Sequence, residues 1–191
     1  MNIASICLGP LGTNCYLVEE SGQRVLIDPA EDSAALHAFV GSRRIDAIIN
    51  THGHFDHVGG DWAFPDTPVK IHPADLSLLK ATHPEPPGTI EGLAEGDRVL
   101  DGLTVFHTPG HSPGSIVLIG EGILFVGDLL FAGSIGRVDL PGGSPNDMFS
   151  SLRRIVALPG DYTVYPGHGE TTMLDLERQR NPFLVGIGDR S

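Results

Sequence analysis

THGHFDH, residues 51–57, sets three histidines and an aspartate within six positions, directly after the apolar stretch IDAIIN at 45–50. A short apolar run bounded by turn residues predicts a β-strand. A loop at a strand end is where a rigid scaffold displays reactive groups. Imidazole nitrogen and carboxylate oxygen suit zinc, and also iron or manganese. One histidine in such a place is more often structural. Four metal-capable side chains so close together point to a metal site.

The same grammar recurs along the chain. Leu103–His107 leads into His111, Ile123–Gly127 into Asp128, and Tyr162–Tyr165 into His168. Glycines and prolines beside these residues permit sharp turns and close backbone approach. The candidate ligands are therefore His52, His54, Asp56, His57, His111, Asp128 and His168. A catalytic zinc uses about three protein ligands and an open position. This set exceeds one site and suits two ions about 3.5–4 Å apart, with a bridging hydroxide. Coordination lowers the pKa of water from about 15.7 to about 7, so the hydroxide exists at neutral pH. The tripeptide PGH occurs at 109–111 and 166–168, each time after a predicted strand, which hints at two related halves.

Around these loops the pattern alternates strands and helices. Thr13–Glu19 and Arg24–Asp28 read as a hairpin, and Asp32–Ser42 as an amphipathic helix. Ile45–Asn50 and Val69–Ile71 read as strands, and a helix is predicted from Pro73 to about Ala81. Residues 82–97 read as a surface loop. Strands follow at Leu103–His107, Ser115–Ile119, Ile123–Val126 and Tyr162–Tyr165. Ser144, with Pro145 and Asp147, predicts the start of a helix that runs to about Leu158. Thr172 with Asp175 predicts the cap of a closing helix that ends before Pro182. Interleaved helices and strands predict an α/β layered fold, read as a single domain over 1–191.

Composition narrows the function. A formal net charge of −12 repels phosphate backbones and anionic lipid. Nucleic acid and membrane partners are therefore not expected. No basic segment precedes an apolar one at the start, and Cys7 and Cys15 are too few for a disulfide framework. A reducing cytoplasm is the expected compartment.

Other signals carry less. Gly110–Gly114 fits the nucleophile pattern G-x-S-x-G. The residue after Ser112 is Pro113, which has no N–H for an oxyanion hole, so Ser112 reads as a turn residue. His37 and His83 read as solvated, His72 and His107 as packed near strand ends, and Cys15 as core. Asp28 is placed either to hydrogen-bond the metal loop or to make a plain turn. Arg137 and Asp139 are placed to pair on the surface.

THGHFDH, TPGHSPGS at 108–115, FVGD at 125–128 and PGHG at 166–169 together resemble the metallo-β-lactamase-fold hydrolases, in the family's order and spacing. The resemblance implies a four-layer αβ/βα sandwich with the site at one edge. It implies that His52, His54 and His111 hold one ion, that Asp56, His57 and His168 hold the other, and that Asp128 bridges them. LGTNCYLV at 11–18, DPAE at 28–31 and FAGSIGRVD at 131–139 resemble the glyoxalase II branch, in its short bacterial form without the C-terminal helical domain. That likeness implies two zinc ions, with iron or manganese as substitutes, and a small acyl thioester substrate such as S-lactoylglutathione. It also implies that Asp56 orients the attacking hydroxide and that Arg137 binds substrate. Asp139 stands where the branch usually has an aromatic residue. A related branch, the persulfide dioxygenases, uses one iron held by two histidines and an aspartate, and lactonases share the ligand pattern.

Overall fold

The computed structural model describes residues 1–85 and 88–185. Two six-stranded sheets carry the architecture. The first runs in sequence order: β1 (Asn2–Leu8), β2 (Thr13–Glu20), β3 (Gln23–Ile27), β4 (Ala47–Ile49), β5 (Val69–Ile71) and β6 (Ile90–Gly92). The second contains β7 (Arg98–Leu100), β8 (Leu103–His107), β9 (Ile116–Gly120) and β10 (Ile123–Gly127). After the small hairpin β11 (Leu130–Phe131) and β12 (Ser134–Ile135), the chain adds β13 (Thr163–Pro166) and β14 (Thr172–Met173) to that sheet. Its spatial order is β14-β13-β10-β9-β8-β7. The helices are α1 (Ala34–Val40), α2 (Phe55–Val58), α3 (Leu76–Thr82), α4 (Pro145–Val156) and α5 (Leu174–Arg180).

Side-chain alternation along each strand builds the layers. In β2, β3 and β4, Tyr16, Val18, Val25, Ile27, Ala47 and Ile49 meet Val105, Ile116, Leu118 and Phe125 of the second sheet. Their neighbours Leu17, Leu26 and Ile48 face the other way, onto Leu36 and Val40 of α1 and Leu79 of α3. On the far side, Val117, Leu124, Val126 and Val164 pack under Met148, Leu152 and Ile155 of α4 and Leu174 of α5. Each such fully buried aliphatic side chain contributes about 1.5–3 kcal/mol. The result is the expected helix–sheet–sheet–helix sandwich.

The expected cap at Ser144 is present, and Ser33 supplies a second that the sequence pattern does not single out. Ser33 opens α1 and Ser144 opens α4, each accepting the backbone N–H three residues on. Three expectations differ. Residues 90–92, inside the stretch read as a loop, form β6 by pairing in parallel with β5 at the sheet edge. Thr172 does not cap α5; it lies in β14, and its hydroxyl donates to buried Glu177 at 2.7 Å. The two PGH tripeptides follow β8 and β13, strands of the same sheet, so they do not mark two halves. No helix of the described residues is long and apolar enough to cross a membrane.

Candidate metal centre

Four strand ends deliver the predicted residues to one place. After β4 come His52 and His54, and α2 then carries Asp56 and His57. The turns after β8, β10 and β13 deliver His111, Asp128 and His168. Glycine makes the approach possible. A Cβ on Gly167 would lie 2.3 Å from Asp128 Oδ1, and one on Gly110, at φ +148°, would lie 2.4 Å from Met148 Cα.

The rings are held from behind. His57 Nδ1 donates to Asp28 at 2.9 Å, His111 Nδ1 to the carbonyl of Arg137 at 2.8 Å, and His168 Nδ1 to the carbonyl of Leu11 at 3.2 Å. His52 Nδ1 lies 3.1 Å from the Thr51 hydroxyl, which itself donates to Asp28 at 2.6 Å. In each case the other nitrogen, Nε2, is left facing inward. Hydrogen bonds of this kind fix the tautomer and orientation of metal-binding imidazoles.

Facing inward, the ligand atoms form two clusters. His52, His54 and His111 make one and Asp56, His57 and His168 the other, with the atoms of each cluster within 4.8 Å of one another. His54 Nδ1 comes within 2.8 Å of His111 Nε2, and His57 Nε2 within 3.3 Å of His168 Nε2. Asp128 lies between the clusters: Oδ1 is 3.4 Å from His57, and Oδ2 is 3.5 Å from His111 and 3.6 Å from His168. His52 Nε2 and Asp128 Oδ1 are buried with no hydrogen-bond partner. Unpaired buried polar atoms are costly, and a cation shared by converging lone pairs would satisfy them. The donor set thus fits two metal ions. A third grouping, Asp28 with His52 and His57, differs, because both Asp28 oxygens are already committed to Thr51 and His57.

Burial pushes His52 well below its ordinary pKa, and burial with the neighbouring His111 lowers His54. Both therefore offer lone pairs at neutral pH. Burial pulls His57 down too, but the carboxylates of Asp128 and Asp28 outweigh it and raise the ring to about 9. Burial opposes ionisation of Asp56, yet the hydrogen bond from His168 and the charge on His57 bring it to about 2. Below pH 9 a cation must therefore displace the His57 proton. Zinc titration of metal-free protein at pH 7.5, in buffers of differing ionisation enthalpy, is expected to show release of about one proton or more per chain. No release would place His57 outside the ligand set.

Other sequence expectations divide. Asp28 does brace the metal loop, from a positive φ of 50° that non-glycine residues rarely adopt. His37 is half exposed and pairs with Asp32 at 2.7 Å. His72 and His107 stack on each other at 3.9 Å, consistent with packing. His83 is not solvated: its Nε2 donates to the Val58 carbonyl at 2.9 Å and its ring abuts Trp62. Arg137 pairs with Asp139 through two bonds of 2.7 and 2.8 Å, both side chains exposed, while its carbonyl anchors His111. Asp75, which no motif flagged, is fully buried beneath the His52–His54 segment and the His111 turn.

A family model described as the metallo-beta-lactamase superfamily matches residues 8–168. The chain is similar to the crystal structure of TTHA1623 in a di-iron-bound form, at 43% identity and a TM-score of 0.88, covering 95% of this chain and 100% of that one. It is similar to the structure of the BLEG-1 B3 metallo-beta-lactamase, at 34% identity and a TM-score of 0.79, covering 97% and 100%. The hydroxyacylglutathione hydrolase of Aeromonas hydrophila is 35% identical over 164 residues, covering 82% of this chain and 61% of that protein.

Proposed function

Because the chain belongs to the metallo-β-lactamase superfamily, we propose that it is a two-metal hydrolase of small acyl thioesters, with S-lactoylglutathione as a representative substrate. The observation that carries the metal reading is the inward convergence of two clusters on Asp128. Support for a thioester comes from the likeness to the hydroxyacylglutathione hydrolase and from the stretch 131–139.

Ions held there would supply Lewis acidity for the thioester carbonyl and hydroxide at neutral pH. The chain's own residues do the rest. His52, His54 and His111 would hold one ion, Asp56, His57 and His168 the other, and Asp128 both. Asp56, ionised at neutral pH, orients the attacking water by accepting its hydrogen bond. Asp28 keeps the His57 ring from rotating. A thiol leaving group, with a pKa near 8.5, departs as thiolate and needs no general acid. Asp56, His168 and Asp128 are partly exposed, which leaves one side of the site open to a substrate.

Purified protein is tested on S-lactoylglutathione, an uncharged acyl thioester, a β-lactam and a lactone. The thioesters are expected to turn over fastest. Hydrolysis of the β-lactam or the lactone alone would overturn the thioester reading. The Arg137–Asp139 pair adds a second expectation, since Asp139 neutralises the guanidinium that would meet an anionic carrier. Asp139→Asn is expected to lower KM for S-lactoylglutathione by about two- to fivefold, the scale of an exposed ion pair. Its kcat, and the kinetics of the uncharged thioester, stay unchanged. An unaltered KM would remove Arg137 from substrate binding.

A further inference from the structure

Asp75 follows β5 at the end of a 3₁₀ turn, Pro73–Asp75, and its side chain is fully buried. Among the described residues it has no cationic partner, and every donor it meets is neutral. Oδ2 accepts from the N–H of Gly53 at 2.9 Å and from the hydroxyl of Ser112 at 2.6 Å. Oδ1 accepts from the N–H of Gly114 at 2.6 Å. The Ser115 hydroxyl lies 2.7 Å from that of Ser112 and extends the network. A buried carboxylate is tolerable only when bonded in this way.

Where those donors sit is the point. Gly53 separates His52 from His54, and Ser112 adjoins His111. All three bonds of Asp75 go to the residues beside His52, His54 and His111, and none goes to α2, which carries Asp56 and His57, or to the turn of His168. Asp28 divides the work differently, bonding Thr51 and His57. Two motif glycines exist in contact with Asp75. A Cβ on Gly53 would lie 2.7 Å from the Asp75 carbonyl oxygen, and one on Gly114 would lie 2.7 Å from its Cγ. Ser112, whose motif suggested a nucleophile, spends its hydroxyl proton on the same carboxylate.

We infer that Asp75 is a positioning residue that sets the spacing of the His52–His54 loop against the His111 loop, and so the cation affinity of that cluster alone. The inference rests on the reading that the cluster binds a metal ion. Asp75→Asn keeps the shape but replaces one accepting oxygen with a donating amide, opposed to a donor already in place. Asp75 bonds the residues beside the ligands, and its loss is expected to act on the scale of removing a ligand's outer partner, about 10–100-fold. In zinc competition against a chromophoric chelator, Asp75→Asn is therefore expected to bind one of two ions at least about tenfold more weakly and the other unchanged. Added to His54→Ala, within the same cluster, it changes little further; added to His168→Ala, the two losses sum. Ser112→Ala, a milder change that leaves both backbone donors, weakens the same ion less.

A merely structural Asp75 would lower the melting temperature of chelator-treated protein and leave both zinc constants alone. Normal binding of both ions by Asp75→Asn overturns the inference. Should that variant not fold, normal binding by Ser112→Ala overturns it instead. Unaltered protein that binds no ion pair overturns the metal reading and the inference together, and that result appears before any variant is made.

Discussion

Asp128→Ala is expected to lower kcat/KM for thioester hydrolysis by at least about a hundredfold, the upper end of what losing even an outer partner of a ligand costs. It should also reduce the bound metal below two ions per chain. The reason is placement. Asp128 leaves β10 through Gly127, at φ +49°, and reaches the inward nitrogens of His57 and His111 from opposite oxygens. A carboxylate shared between two clusters of histidines offsets positive charge at both and fixes their separation. Taking it away leaves two weaker sites with nothing between them. Kinetics and elemental analysis on the same preparation check both halves of the expectation. Full metal content with unaltered kinetics would mean that the clusters work independently of Asp128.

Gly136→Ala is expected to cost the most stability of any single methyl added near the site. The β11–β12 hairpin folds Gly136 back so that its N–H meets the Leu129 carbonyl at 3.3 Å. A Cβ there would stand 1.7 Å from the carbonyl oxygen of Asp128 and 3.4 Å from Nδ1 of His111. The obstruction is backbone, so no rotamer relieves it; the hairpin or Asp128 itself must move. Overpacking of this kind costs about 3 kcal/mol at its upper end. In a chain of this size that lowers the melting temperature by roughly 6–12 °C. Gly133→Ala provides the contrast. Unlike Gly136 it has positive φ, at +71°, but its Cβ would meet nothing within 4 Å. Only the backbone penalty of about 1–2 kcal/mol applies there. Thermal melts of the two variants should separate them clearly, and equal midpoints would contradict the close packing behind Asp128.

How much of this was legible in the sequence depends on what each residue bonds to. The seven inward-facing side chains announce themselves, because metal chemistry needs particular residue types and the loops carry them at strand ends. The core strands β3, β4, β9 and β10 are legible for the same reason: buried runs of Val, Ile and Leu read as strands without tertiary knowledge. Strands β1 and β6 are not legible. Among the residues of β1 only Leu8 is buried, and β6 has none, so neither shows the apolar alternation that marks a half-buried strand. Both form because a neighbouring strand offers its edge. Asp75 was missed on similar grounds. It sits 22 residues from Gly53 and 37 from Ser112 along the chain, and local pattern cannot announce a bond made across that separation. Asp28 was easier to suspect because it closes a predicted strand beside the motif. Thr172 misled, since a threonine three residues before an acid resembles a cap until tertiary packing draws its hydroxyl to Glu177.

Metal stoichiometry read alongside activity tests the proposed two-metal thioester hydrolysis most directly. Protein stripped with chelator and titrated back with zinc is expected to bind two ions per chain. S-Lactoylglutathione hydrolysis should be absent from the stripped protein and should rise with the second ion. A single iron per chain, with persulfide-dependent oxygen uptake and no thioester hydrolysis, would contradict it.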